Sequence, residues 1–183
     1  MTVLYQLLLI FGLLLYLPSA VCRGRLPHRG WMMRLGRYPA GLRQRLAGRP
    51  AIWVHAVSVG EVLAARPLLE QFTKRYPQDP LVVSTITPGG FQVASEQMTA
   101  AGAVLYFPLD LHGCVTRALE HVRPKILLLM ESELWPMAIG LTKARGIPIA
   151  VVNGRISPRA FARYRLVKRW LRGTLDRVDL LLM

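Results

Sequence analysis

The chain has 183 residues, 24 Lys and Arg against 10 Asp and Glu, a net charge of +14 and 52% hydrophobic residues. That length gives room for one domain with a real core plus an appendage, and excludes a large multidomain assembly within these residues. Two cysteines far apart, Cys22 and Cys114, indicate neither a disulfide framework nor a metal site.

The charge divides sharply along the chain. Residues 1–49 carry eight Arg and no acid, residues 50–154 carry eight basic and eight acidic residues, and residues 155–183 carry eight basic residues against Asp176 and Asp179. A neutral central region therefore lies between two basic flanks. Residues 1–21 hold no charge and run through Leu7 to Leu17 almost without a polar side chain. That is about the length needed to cross a bilayer. The segment reads as an N-terminal membrane anchor over 1–21, followed by a basic juxtamembrane linker over 22–49. The basic residues after it keep that side in the cytoplasm, and they are attracted to anionic membrane lipids. A secretory signal and a helix lying on the lipid surface are the competing readings. Basicity also suits nucleic acid. The linker, however, lacks the aromatic platform of single-strand binders, so no nucleic acid is expected as a partner.

From residue 50 a strand–helix rhythm begins. Short apolar strands are expected at 51–57, 81–86, 103–107, 125–130, 147–152 and 177–183. Helical patterns fall between them at about 60–76, 88–98, 111–121, 134–145 and 158–173. Such alternation predicts an α/β fold, a Rossmann-like doubly wound parallel sheet over 50–183 with helices on both faces. In the Rossmann strand order the first and fourth strands are neighbours, and ligands gather at their carboxyl ends.

Two acidic turns then converge. The first strand leads into Val57-Ser58-Val59-Gly60-Glu61, and the fourth into Glu131-Ser132-Glu133-Leu134-Trp135-Pro136. A carboxylate at the mouth of a buried strand is partly desolvated, which raises its pKa and suits it to accept a proton. Glu61 also fits a capping box, reaching back to the Ser58 backbone N–H. Glu131 and Glu133 fit ordinary first-turn acids, Glu133 the better of the two. Thr87-Pro88-Gly89-Gly90 forms a helix start able to receive an anion. Arg155, after the fifth strand, is suited to clamp a phosphate or carboxylate. No glycine fingerprint of a nucleotide site is present. His55 and His112 read as packing or surface residues, and no metal or other cofactor is expected.

Four segments, His55–Glu61, Ser84–Gly90, Met130–Pro136 and Asn153–Ser157, together resemble the N-terminal half of the bacterial 3-deoxy-D-manno-octulosonic acid (Kdo) transferases. The resemblance covers essentially the whole chain. It implies the N-terminal domain of a GT-B glycosyltransferase that moves Kdo from CMP-Kdo to a lipid A precursor in lipopolysaccharide biosynthesis, inverting the anomeric centre without a metal. It further implies Glu61 as catalytic base and Glu131 as an assisting catalytic group. Ser58, Gly60, Thr87, Gly89 and Arg155 are expected at the acceptor. The expected location is the cytoplasmic face of the bacterial inner membrane, held by a single N-terminal anchor. The donor domain that binds CMP-Kdo is not among these residues, so the chain is expected to be inactive alone, or to be a truncated module that binds anionic lipid.

Overall fold

The computed structural model describes residues 2–22, 30–131, 133–156 and 168–183. Six parallel strands form one sheet: β1 (Ala51–His55), β2 (Leu81–Thr85), β3 (Ala103–Tyr106), β4 (Pro124–Met130), β5 (Ile149–Val152) and β6 (Leu180–Leu181). Their order is β3-β2-β1-β4-β5-β6, with β1 parallel to both β2 and β4. This is the expected doubly wound order, and the switch point lies between β1 and β4.

Helices alternate with the strands: α1 (Thr2–Cys22), α2 (Trp31–Arg34), α3 (Leu42–Arg45), α4 (Val59–Arg75), α5 (Pro88–Gln97), α6 (His112–Val122), α7 (Pro136–Ala144) and α8 (Lys168–Leu175). Local chemistry sets several of their ends. The Ser58 hydroxyl caps α4, and the Thr87 hydroxyl caps α5 ahead of Pro88 in its first turn. Gly146 at φ +71 follows α7, where a left-handed residue closes the helix.

Alternation along the strands separates two cores. Trp53, Val82, Leu105, Leu127 and Leu129 face α3, α6 and α7. Ile52, Val54, Val83, Leu128 and Met130 face α4 and α5. Because both faces are covered, β1 and β2 are buried at every position, which is why they read as unbroken apolar runs.

The structure departs from the sequence reading in four places. Among the described residues no helix is long and apolar enough to cross a membrane, so the full-span expectation finds no support. The 21-residue α1 continues through Pro18, but its first turns place Tyr5 and Gln6 against the domain. Residues 30–49, expected as linker or short helices, pack onto the sheet through Tyr38, Leu42 and Leu46. Helix α7 starts at Pro136 rather than 134, because the chain turns out of β4 before a helical turn begins. The last strand shrinks to Leu180–Leu181 at the sheet edge. The expected helix at 158–173 lies outside the described residues apart from the start of α8, as do Ser132 and residues 23–29 of the basic linker.

Candidate active site

At the end of β1 the backbone of Val57 is the hub of a dense hydrogen-bond net. Its N–H donates to Glu61 Oε2 at 2.8 Å, while the Ser58 hydroxyl donates to Glu61 Oε1 at 2.9 Å. The Glu61 N–H in turn donates to Ser58 Oγ at 3.4 Å. The box expected from spacing therefore forms with a shift. The carboxylate reaches the N–H of residue 57, one position before the cap, and also takes the cap's own hydroxyl. Glu61 is 7% exposed and is held by a donor on each oxygen.

The same hub ties in the neighbouring turn. The Val57 carbonyl accepts from Thr85 Oγ at 2.9 Å, Thr87 Oγ at 3.1 Å and the Thr87 N–H at 3.3 Å. Thr87 Oγ accepts from the Gly90 N–H at 3.0 Å, so one of the donors at this helix start is already used. A Cβ on Gly90 would lie 2.5 Å from Thr85 Oγ, which leaves no room for a side chain. Gly89 and Gly60 are under no such packing demand: their nearest neighbours would be at 3.4 Å and 4.0 Å.

Across the switch point, β4 is followed by Glu131 at φ +55, and β5 by Asn153 at φ +57. Left-handed backbone at non-glycine residues costs energy and gathers where function fixes the geometry. The Glu131 N–H donates to the Val152 carbonyl at 2.8 Å, the last rung of the β4–β5 ladder, and the left-handed backbone at Glu131 then turns the chain out of the sheet. The next acid, Glu133, has its pKa pushed up to about 7. Burial is the first cause, the Glu61 charge the second, and the Glu131 charge adds to both. The Trp135 indole opposes the rise, although its N–H makes no hydrogen bond of ordinary geometry.

The structure thus joins Ser58, Glu61 and Thr87 through Val57, and places Glu133 within the fields of both Glu61 and Glu131. Glu131 and Glu133 are not first-turn helix acids as spacing suggested, since α7 has no acid in its first turn. Arg155 lies one strand further along the same edge, with Nη2 donating to Asn153 Oδ1 at 3.5 Å. A cavity of about 110 Å³ opens beside Glu131, lined by Leu134, Val151, Gly154 and Ile156 among others. A hollow of about 750 Å³ among Pro50, Arg123, Pro124 and Pro148 lies at the opposite edge of the sheet. Ligand chemistry in open parallel sheets gathers at the carboxyl edge, where the three carboxylates are found.

Two features supporting the site escape sequence reasoning. Asp110, 1% exposed, accepts from the Met137 N–H at 2.9 Å and the Ala138 N–H at 2.7 Å. It supplies from another loop the cap that α7 lacks from its own Trp135. No local pattern around Asp110 announces this role. Beneath both turns, the His55 ring stacks on Phe107 at 3.8 Å and meets the Trp135 edge at 6.3 Å. Its Nδ1 is 3.1 Å from the Ser84 carbonyl, and burial pushes its pKa down to about 3. His55 is a neutral packing residue, as the sequence indicated.

A doubly wound parallel sheet with carboxylates at its switch point defines a Rossmann-like α/β domain. The chain belongs to the 3-deoxy-D-manno-octulosonic-acid transferase (kdotransferase) family, whose model matches residues 29–183. It is 35% identical to the 3-deoxy-D-manno-octulosonic acid transferase of Haemophilus influenzae over 151 residues, covering 76% of this chain and 35% of that protein. The transferase of the same name from Chlamydophila psittaci is 29% identical over 180 residues, covering 97% of this chain and 41% of the relative. A probable mitochondrial 3-deoxy-D-manno-octulosonic acid transferase from Arabidopsis thaliana is 32% identical over 70% of the chain and 29% of its own length. The chain spans about two fifths or less of the curated relatives it matches.

Proposed function

We propose that this chain is the acceptor half of an inverting GT-B glycosyltransferase. The whole protein would move Kdo from CMP-Kdo to a lipid A precursor, lipid IVA, in lipopolysaccharide biosynthesis. The observation that carries the reading is the Glu61 carboxylate, fixed at the switch point in a chain of this family. Each of its oxygens accepts one donor and keeps a lone pair free for an incoming hydroxyl. In this reading an acceptor sugar hydroxyl gives its proton to Glu61. The oxygen then bonds to the anomeric carbon of Kdo as the bond to CMP breaks. Glu131 assists at the transition state, and Glu133, with a pKa near 7, is suited to hold the proton afterwards. Ser58, Gly60, Thr87, Gly89 and Arg155 contact the acceptor.

The apolar α1 and the Arg-rich flank support attachment to anionic lipid, placed by this reading on the cytoplasmic face of the bacterial inner membrane. The donor site lies in the part of the protein beyond these residues. A second reading, a lipid-binding module without turnover, is favoured by the same exposed helix.

Glu61→Gln in the full-length protein decides between them. General-base catalysis typically contributes about 10²–10⁴-fold, so the rate of Kdo transfer from CMP-Kdo should fall by that factor with the fold intact by circular dichroism. A variant that keeps the parent's rate overturns the catalytic assignment.

A further inference from the structure

We propose that α1 lies flat in the plane of an anionic lipid surface, latched to the domain at its first turn, rather than crossing the bilayer. That α1 meets lipid at all rests on the membrane attachment proposed above; its orientation rests on contacts within the fold. The latch has three hydrogen bonds. The Tyr5 hydroxyl donates to Asp110 Oδ2 at 2.8 Å, the Gln6 side-chain amide donates to the Asp110 carbonyl at 2.8 Å, and the His112 N–H donates to Gln6 Oε1 at 2.9 Å. Three turns later, Tyr16 comes close enough to the Arg34 guanidinium to interact with its charge. Arg34 is itself part of the domain, lying over the Tyr106 ring at 4.8 Å.

Tyr5 and Tyr16 are eleven residues apart, about 16 Å along the axis and within about 20° of each other around it. The hydrogen-bonded latch at one end and the electrostatic reach of Tyr16 to Arg34 at the other, on one side of the helix, lay it along the domain. The rest of the helix agrees. Gln6, Leu9, Leu13 and Leu17 fall on the same side and are partly covered. Val3, Leu7, Leu8, Phe11, Leu14 and Leu15 are 59–71% exposed and share an arc of about 140° on the opposite side. A spanning helix would carry Tyr5 to the far side of about 30 Å of hydrocarbon, away from Asp110. The occupant of the outward stripe is a lipid leaflet with anionic headgroups. The stripe itself is wholly apolar, and it belongs to a 49-residue stretch with eight Arg and no acid, a charge balance that draws this part of the chain to anionic headgroups. Asp110 also caps α7, so one carboxylate joins the lipid-facing helix to the segment that follows Glu131 and Glu133.

The test places a fluorescent label on single cysteines at positions 3, 7, 11 and 15 of the full-length protein in a background with both Cys22→Ser and Cys114→Ala. Depth is read by quenching with spin-labelled phospholipids, in vesicles of phosphatidylethanolamine and phosphatidylglycerol. All four labels should report one shallow depth. A steady gradient of about 18 Å between positions 3 and 15, the rise of twelve helical residues, would overturn the flat orientation while leaving membrane attachment standing. No quenching at any position, with self-association in solution, would overturn lipid as the occupant and the membrane attachment together. Tyr5→Phe should let the label at position 3 move relative to that at 15. Unchanged depths in that variant would remove the latch. None of these readouts involves sugar transfer, so failure of the catalytic reading is seen separately.

Discussion

The two turns that meet at the switch point hold their acids by different means. The turn after β1 is held by hydrogen bonds: each Glu61 oxygen has one donor, and the Val57 carbonyl takes three. The segment after β4 is strained and electrostatically crowded, with Glu131 in left-handed backbone and Glu133 pushed up towards neutrality by burial and two like charges. The difference teaches how one switch point acquires two kinds of carboxylate. Hydrogen bonds orient one acid, and desolvation beside its neighbours keeps another half-protonated near pH 7. The aromatic floor of His55, Phe107 and Trp135 keeps the second arrangement in place by packing, where the first relies on polar contacts.

The floor gives the largest expected effect on stability. The native pKa of His55, about 3, lies below that of an unfolded histidine, so between these values the unfolded chain binds the extra proton. Stability is therefore lost as pH falls from about 6.5 towards 3. His55→Phe removes this component. Chemical denaturation of variant and parent should show the difference in unfolding free energy moving in the variant's favour by on the order of 4 kcal/mol from pH 7 to pH 3. A parallel pH dependence would show that the ring is not held neutral.

Glu133 carries the opposite sign for an acid. Its native pKa is raised, so the native state holds the proton more tightly, and ionisation penalises folding as pH rises from about 4.5 through 7. Glu133→Gln should match the parent at pH 4 and exceed it at pH 8. Glu133 is only partly buried, and solvent screening holds the gain to about 1 kcal/mol, read as a rise of a few degrees in Tm. Equal Tm values at pH 8 would dissolve the contrast between the two turns.

The smallest effect concerns the backbone. At φ +55 glycine is at ease and alanine is not, so Glu131→Gly should be more stable than Glu131→Ala by up to about 1 kcal/mol. Alanine the more stable of the pair would show that no strain is stored there.

Much of the fold was legible in the residues because its signals are local. Buried parallel strands need unbroken apolar runs, which Ile52–Val54 and Leu127–Leu129 supply, and Thr87-Pro88 announces a helix start whatever surrounds it. Glu61 was visible as a candidate for the same reason, its cap and its strand lying within ten residues. The roles of Asp110 and Glu133 were not legible. Asp110 acts on N–H groups 27 and 28 residues away, and Glu133 owes its shifted proton affinity to burial and to a charge 72 positions earlier in the chain. Residues 30–49 looked like a basic linker because their composition is polar, and only packing shows Leu42 and Leu46 in the core.

By itself, then, the sequence determined the strand–helix rhythm, the helix caps, the charge partition and the acids at the strand ends, all set by short-range sterics, hydrogen bonding and hydrophobic period. The tertiary structure decided which acids lie within one another's electrostatic reach, which of them is desolvated, and which side of α1 is covered. Those depend on distances between segments remote in sequence, and on the water that packing removes from between them.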